Sequence, residues 1–102
     1  MIYDHRTYKC KPGTINKQLA QYKELGYEAQ VRNLGKPLVY AATEIGDVNC
    51  YIHIWVYDDI ADRAAKRARL MADPDWLAYL AASAESGYLI SQENIILKPT
   101  GL

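Results

Sequence analysis

Apolar and polar side chains alternate most cleanly between Val48 and Tyr57, where Ile52, Ile54 and Val56 interleave with Tyr51, His53, Trp55 and Tyr57. A period of two marks a strand whose two faces meet different surroundings. Ile2 to Lys9 reads as a second such segment: Tyr3, Thr7 and Tyr8 favour extended backbone, and Lys11-Pro12-Gly13 ends it. The period then changes. Thr14 is placed to cap a helix carrying Ile15, Leu19, Tyr22 and Leu25 on one side, and Gly26 fits its C-terminal cap. The pattern of Tyr27 to Leu34 also allows helix to continue until Gly35 and Pro37 stop it. Leu38 to Ile45 reads as a strand, joined through a tight Gly46-Asp47 turn to the Val48–Tyr57 strand as an antiparallel hairpin.

Asp58 or Asp59 caps the next helix, with Ile60, Ala64, Ala68 and Met71 as its apolar side and Asp59–Arg63 and Asp62–Lys66 as four-apart charge pairs. Asp73-Pro74 restarts the helix, Trp76, Leu77, Leu80 and Ala84 form its apolar face, and Gly87 ends it. Tyr88 to Leu97 is the last strand. The order strand, helix, strand, strand, helix, strand predicts an α+β, ferredoxin-like βαββαβ unit with one four-stranded antiparallel sheet and both helices on one face. Taking the first and third strands as parallel neighbours puts Cys10 and Cys50 at opposite ends, roughly 20–25 Å apart and beyond the reach of a disulfide.

The helices leave one sheet face uncovered. The aliphatic set Ile52, Ile54 and Val56 suits packing under helices, so the aromatic set Tyr51, His53, Trp55 and Tyr57 is expected on the free face. In the first strand Asp4, Arg6 and Tyr8 share one parity and are expected to join it, with Tyr40 and Glu44 from the second strand. A patch of that size predicts a homodimer formed by stacking two sheets face to face, the polar aromatics lining a lumen.

Length and composition narrow the class. A chain of 102 residues, half apolar and a quarter charged, is one globular domain over residues 1–102. Twelve basic and twelve acidic residues cancel, which removes the electrostatic case for nucleic acid or a membrane surface as partner. The opening Met1-Ile2-Tyr3-Asp4-His5-Arg6 lacks the apolar run of a signal peptide, and no apolar stretch is long enough to span a bilayer. Cys10 and Cys50 read as reduced thiols, so the expected location is cytoplasmic. Nine Tyr and two Trp with no Phe is the unusual feature, since every buried Tyr hydroxyl needs a partner.

These residues define the candidate chemistry. His53 is the candidate acid/base, because imidazole exchanges protons near neutral pH. Arg6 is the candidate anion holder, its alternative role being a structural partner of Asp4 or Glu44. Asp4, Tyr8, Tyr40, Glu44, Trp55, Tyr57, Gln92 and Asn94 are candidate ligand-binding residues; interface packing is the favoured alternative for Trp55 and Tyr57, and closing the dimer edge is the alternative for Gln92 and Asn94. Arg63, Arg67 and Arg69 read as a solvated helix face balanced by Asp58, Asp59 and Asp62. His5 and His53 have opposite parity, so no metal site is expected, and no phosphate loop, nucleophile triad or reactive-cysteine motif calls for a cofactor.

Several segments together resemble the NIPSNAP family of the dimeric α+β barrel superfamily. They are Arg6-Thr7-Tyr8 with Lys11-Pro12-Gly13, Leu34-Gly35-Lys36, Thr43-Glu44-Ile45-Gly46, His53-Ile54-Trp55-Val56-Tyr57-Asp58 with Ala61-Asp62-Arg63, and Ser91-Gln92-Glu93-Asn94 with Ile96-Leu97. The resemblance implies a ferredoxin-like subunit that dimerises through its sheets, and it brings no shared reaction. Relatives elsewhere in the superfamily include cofactor-independent monooxygenases, haem-handling enzymes and small isomerases or dehydratases, a likeness of fold only. Asp4 stands where the family usually has Glu, and His5 where it usually has an aliphatic residue. Two functions follow as expectations. One is binding of a small aromatic or anionic molecule in the lumen, with proton transfer or oxygenation as the attendant chemistry. The other is a non-enzymatic dimer whose aromatics only fill the interface.

Overall fold

The computed structural model describes residues 1–102. Its elements are β1 (Ile2–Cys10), α1 (Ile15–Leu25), α2 (Tyr27–Leu34), β2 (Val39–Ala42), β3 (Cys50–Tyr57), α3 (Ile60–Met71), α4 (Pro74–Ser86) and β4 (Leu89–Leu97). Local chemistry places the breaks. The Asp59 carboxylate accepts from the Asp62 amide at 2.7 Å to cap α3, and Asp73 caps α4 ahead of Pro74. Gly87 closes α4 in the left-handed region at φ 65°. Thr14 stands at the start of α1, but its hydroxyl donates back to the Lys11 carbonyl at 2.7 Å instead of capping. The α1–α2 break falls at Gly26, where a Cβ would come within 2.9 Å of Tyr79 Cγ. Only a glycine lets α4 approach the helical corner that closely.

The four strands form one sheet in the order β2-β3-β1-β4, all neighbours antiparallel. The ferredoxin-like expectation holds, with each helical crossover broken into two helices. The expected parallel pairing of the first and third strands does not hold. The crossover from β1 makes β2 parallel to β1, and β3 lies between them as the hairpin partner of β2, so it runs against both. Lys9 therefore pairs with Cys50, and Cys10 and Cys50 lie at the same end of the sheet. They stay free thiols because strand alternation sends them to opposite faces.

The side chains face the other way from expectation. Tyr51, His53, Trp55 and Tyr57 are all buried under the helices, while Ile52, Ile54 and Val56 are only half-buried on the open face. In register with the aromatic row, Asp4, Arg6 and Tyr8 also point to the helices, and Tyr3, His5 and Thr7 share the aliphatic side. The core joins Trp55 and Tyr57 to Tyr22, Ala29, Leu34, Leu70, Trp76 and Tyr79. The physical reason is that the helices bring polar atoms inward with them: Gln18 and Gln30 are buried beside the tyrosines. A polar-tipped ring is thereby accommodated where only aliphatic residues were expected.

Three further expectations are corrected. The second strand ends at Ala42, so Glu44 lies exposed in the 43–49 connection, far from a tight two-residue turn. Ile60 and Met71 of α3 are exposed and Arg63, Lys66, Arg67 and Leu70 turn inward, with Arg63 paired to Asp4 and not to Asp59. In α4, Trp76, Tyr79 and Leu80 face the sheet while Leu77 and Ala84 are exposed. No helix is long and apolar enough to cross a membrane.

Candidate functional site

The helix-facing side of the sheet carries two polar groupings. The first centres on Asp4, fully buried near the start of β1. Its carboxylate accepts from Arg63 Nε at 3.0 Å, Arg6 Nη1 at 3.3 Å and Asn94 Nδ2 at 3.3 Å. Burial alone would raise the carboxyl's pKa, but the Arg63 hydrogen bond, the Arg6 charge and Asn94 outweigh it and hold Asp4 below the usual carboxylate range. Arg6 in turn donates from Nε to the Tyr8 hydroxyl at 3.1 Å. The guanidinium is thus already engaged on both sides. Tyr57, at the same end of the fold, has its hydroxyl buried without a partner.

The second grouping centres on His53. Tyr8 from β1 and Tyr40 from β2 stack on the two faces of its ring, with centroids 4.8 and 4.7 Å away and interplanar angles of 19° and 7°. Tyr22 from α1 extends the stack beyond Tyr40 at 4.9 Å. The indole Nε1–H of Trp55 donates to His53 Nδ1 at 2.6 Å. That bond requires Nδ1 to be unprotonated and leaves the proton of the neutral ring on Nε2. Burial pushes the His53 pKa down to about 3, the Arg6 charge adding to the effect and Asp4 opposing it. At neutral pH the imidazole is uncharged.

His53 borders a cavity of about 80 Å³ between the sheet and the helices, walled also by Tyr8, Tyr40, Tyr51, Gln30 and Gln92. At roughly 30 Å³ per water in the liquid, it has room for a few waters or a molecule of very few heavy atoms. Around it, Gln18 Nε2 donates to the hydroxyls of Tyr79 at 2.8 Å and Tyr51 at 3.2 Å, and Tyr22 donates to Gln30 Oε1. Burial raises the pKa of Tyr22, Tyr40 and Tyr51 above the ordinary phenol value, so all three stay protonated.

Of the residues singled out from the sequence, Asp4, Arg6 and Asn94 meet in the first grouping, and Tyr8, Tyr40, His53 and Trp55 in the second. Gln92 lines the cavity, Tyr57 stands apart from it, and Glu44 belongs to neither. The partners that sequence reasoning missed are Gln18, Gln30, Arg63 and Tyr79; Tyr51 belongs to the aromatic row read from the sequence but not to its ligand-binding candidates. Gln18 carried a usable signal: it lies three after Ile15 and four before Tyr22, in phase with the buried stripe of α1.

The NIPSNAP family model matches residues 3–102. Among curated proteins, NipSnap homolog 3A of Homo sapiens is 33% identical over 78 residues, covering 74% of this chain and 30% of that protein. The Dictyostelium discoideum NipSnap homolog is 26% identical over 101 residues, covering 99% of this chain and 44% of that one. The chain thus spans less than half the length of these relatives. A NIPSNAP family protein of unknown function from Agrobacterium tumefaciens superposes with a TM-score of 0.89 at 41% identity, covering 97% of this chain and 87% of that one. A NIPSNAP domain protein from Burkholderia xenovorans gives a TM-score of 0.91 at 30% identity, covering 100% and 97%. A putative antibiotic biosynthesis monooxygenase from Nitrosomonas europaea shares the fold alone, with a TM-score of 0.69 at 11% identity over 98% of this chain and 99% of that one. With residues 3–102 matched by the family model and its sheet and helices superposing on solved relatives, this chain belongs to the NIPSNAP family.

Proposed function

We propose that this chain binds a small organic molecule in the cavity beside His53, between the aromatic sheet face and the helices, and does so as a homodimer. The observation that carries the reading is the Trp55-to-His53 hydrogen bond. It orients a neutral imidazole so that Nε2–H, which has no partner within the chain, is available to an acceptor in the cavity. Such a group donates to a carbonyl or hydroxyl oxygen; held uncharged by burial, it is a poor base at neutral pH. Any chemistry at this site therefore begins with polarisation of a bound oxygen. Arg6 donates from Nε to Tyr8 and from Nη1 to Asp4, and in this reading it frames the site.

The dimer rests on the opposite face. Ile52, Ile54 and Val56 of β3, Val39 of β2 and Ile95 and Leu97 of β4 make an aliphatic sheet surface that no helix covers. A second copy of the same sheet is self-complementary to it. The free thiols fit a reducing compartment such as the cytoplasm.

A second reading has its own support. Tyr8 and Tyr40 occupy both faces of His53, so the aromatic row also serves as core, and the chain then acts as a structural dimer. Titrating ¹⁵N-labelled protein with acetamide, small enough for the cavity, separates the two. Binding predicts saturable amide shifts at His53, Gln30 and Gln92; their absence favours the structural dimer. Light scattering after size exclusion is expected to give twice the chain mass, and a stable monomer overturns the dimer.

A further inference from the structure

Tyr22 and Tyr40 wall two spaces at once. On the inner side is the His53 cavity; on the outer side is a groove of about 440 Å³ formed with Leu19, Tyr27 and Lys23 on the α1–α2 side of the fold. The stacked pair, 4.9 Å between centroids, is therefore a wall that the two spaces share. Its two members are held differently. Tyr22 is buried in α1 and tied through its hydroxyl to Gln30, with edge contacts to Tyr27 and Tyr79. Tyr40 rides on β2, a four-residue strand at the sheet edge.

We infer that the groove and the cavity are the two halves of one ligand site, which takes an apolar, ring-sized molecule bearing a single uncharged oxygen-containing head. The apolar body lies in the groove among Leu19, Tyr22 and Tyr27, and the head passes Tyr40 to accept from His53. This rests on the reading of the His53 cavity as a binding site and says what that site takes. Four of the five groove-lining residues are hydrophobic, with Lys23 the exception, which fits a body without polar atoms. No lining residue of the inner cavity is charged: its polar atoms come from Tyr, Gln, Ser and neutral His53. A carboxylate or ammonium head would enter without a counter-charge and lose its hydration, whereas a phenol or ketone oxygen finds donors. The inner cavity alone is too small for such a molecule, and the groove supplies the volume of an ordinary ligand pocket.

The test is an NMR titration of the full chain with 2-naphthol, naphthalene and 2-naphthoate, with acetamide as the head-only probe. The inference expects 2-naphthol to shift amides on both sides of the shared wall, Leu19 and Tyr27 outside with His53 and Gln30 inside, at one common dissociation constant. Naphthalene and 2-naphthoate are expected to bind at least about tenfold more weakly, for want of the oxygen and for its charge respectively. Leu19→Glu, on the half-exposed side of α1, is expected to weaken 2-naphthol about tenfold or more while leaving acetamide unchanged. Shifts confined to one side, equal binding of 2-naphthoate, or an unaffected Leu19→Glu variant overturns the two-part site. Loss of acetamide binding in the unmodified chain instead overturns the reading of the cavity itself.

Discussion

Asp4→Asn removes one negative charge and almost no volume, at a side chain with no exposure to solvent. The carboxylate is the shared acceptor for Arg63 at 3.0 Å and for Arg6 and Asn94 at 3.3 Å each. The amide that replaces it offers one acceptor oxygen and points an NH2 at donors. Taking one partner from a buried ion cluster costs about 3–5 kcal/mol, because the remaining charge stays desolvated. Here the arginines are not sealed: their side chains retain 11% exposure at Arg6 and 25% at Arg63, so both recover some water. A discounted loss of about 2–4 kcal/mol follows, which is roughly 10–25 °C in melting temperature for a domain of this size. The loss should shrink with acid. Asp4 titrates below an unfolded aspartate, so its stabilisation is complete above the ordinary carboxyl pKa and fades as pH falls through the lowered one. Urea unfolding of the two proteins at pH 7 and pH 3, with equal m-values, measures this. A difference under about 1 kcal/mol at pH 7, or one that grows with acid, refutes the reasoning.

Three further outcomes follow from the same structure. Gly26→Ala ordinarily steadies a helix, but here the added methyl meets Tyr79 Cγ at 2.9 Å, so a loss of about 1–3 kcal/mol is expected in thermal melting and a gain contradicts the packing. His53 takes no proton in the fold until pH falls to about 3, whereas the unfolded ring titrates near 6.5. Its contribution is therefore full above about pH 6.5 and declines, by roughly 3–5 kcal/mol in all, as pH drops toward 3. His53→Phe should flatten that part of the stability–pH curve while costing about 1–3 kcal/mol at pH 7, as the Trp55 indole loses its acceptor. Ile54→Asp, in the middle of the open face, should yield folded monomer by light scattering; an undiminished dimer places the interface elsewhere.

Periodicity made the elements and their order readable, because alternation in β3 and the Asp59, Asp73 and Gly87 signals are local. Which side of β3 faces the helices was not local. Alternation separates Tyr51, His53, Trp55 and Tyr57 from Ile52, Ile54 and Val56 but does not say which set is covered. Polar tips suggested water; the decisive facts were Gln18 meeting Tyr51 and Tyr79 across the core and Arg63 reaching Asp4 from 59 residues away. The same inversion corrected the site. His53, Tyr8 and Tyr40 do converge, with Arg6 joined through the Tyr8 hydroxyl, but between the sheet and the helices and not on the open sheet face. Glu44 was misplaced because β2 is four residues long, too short to carry it. The inward turn of Arg63 in α3 defeats a hydrophobic-face argument for a related reason, since its partner is a buried carboxylate and not an apolar surface.

The central claim is that Trp55 fixes a neutral His53 with Nε2–H turned to an occupiable cavity. Long-range ¹H–¹⁵N NMR of the His53 imidazole, with and without acetamide, tests it most directly. The account predicts an Nε2–H tautomer that stays neutral from pH 7 down to about pH 4, with an Nε2 resonance that moves on ligand addition. A ring that titrates near pH 6.5, carries its proton on Nδ1, or ignores the ligand contradicts it.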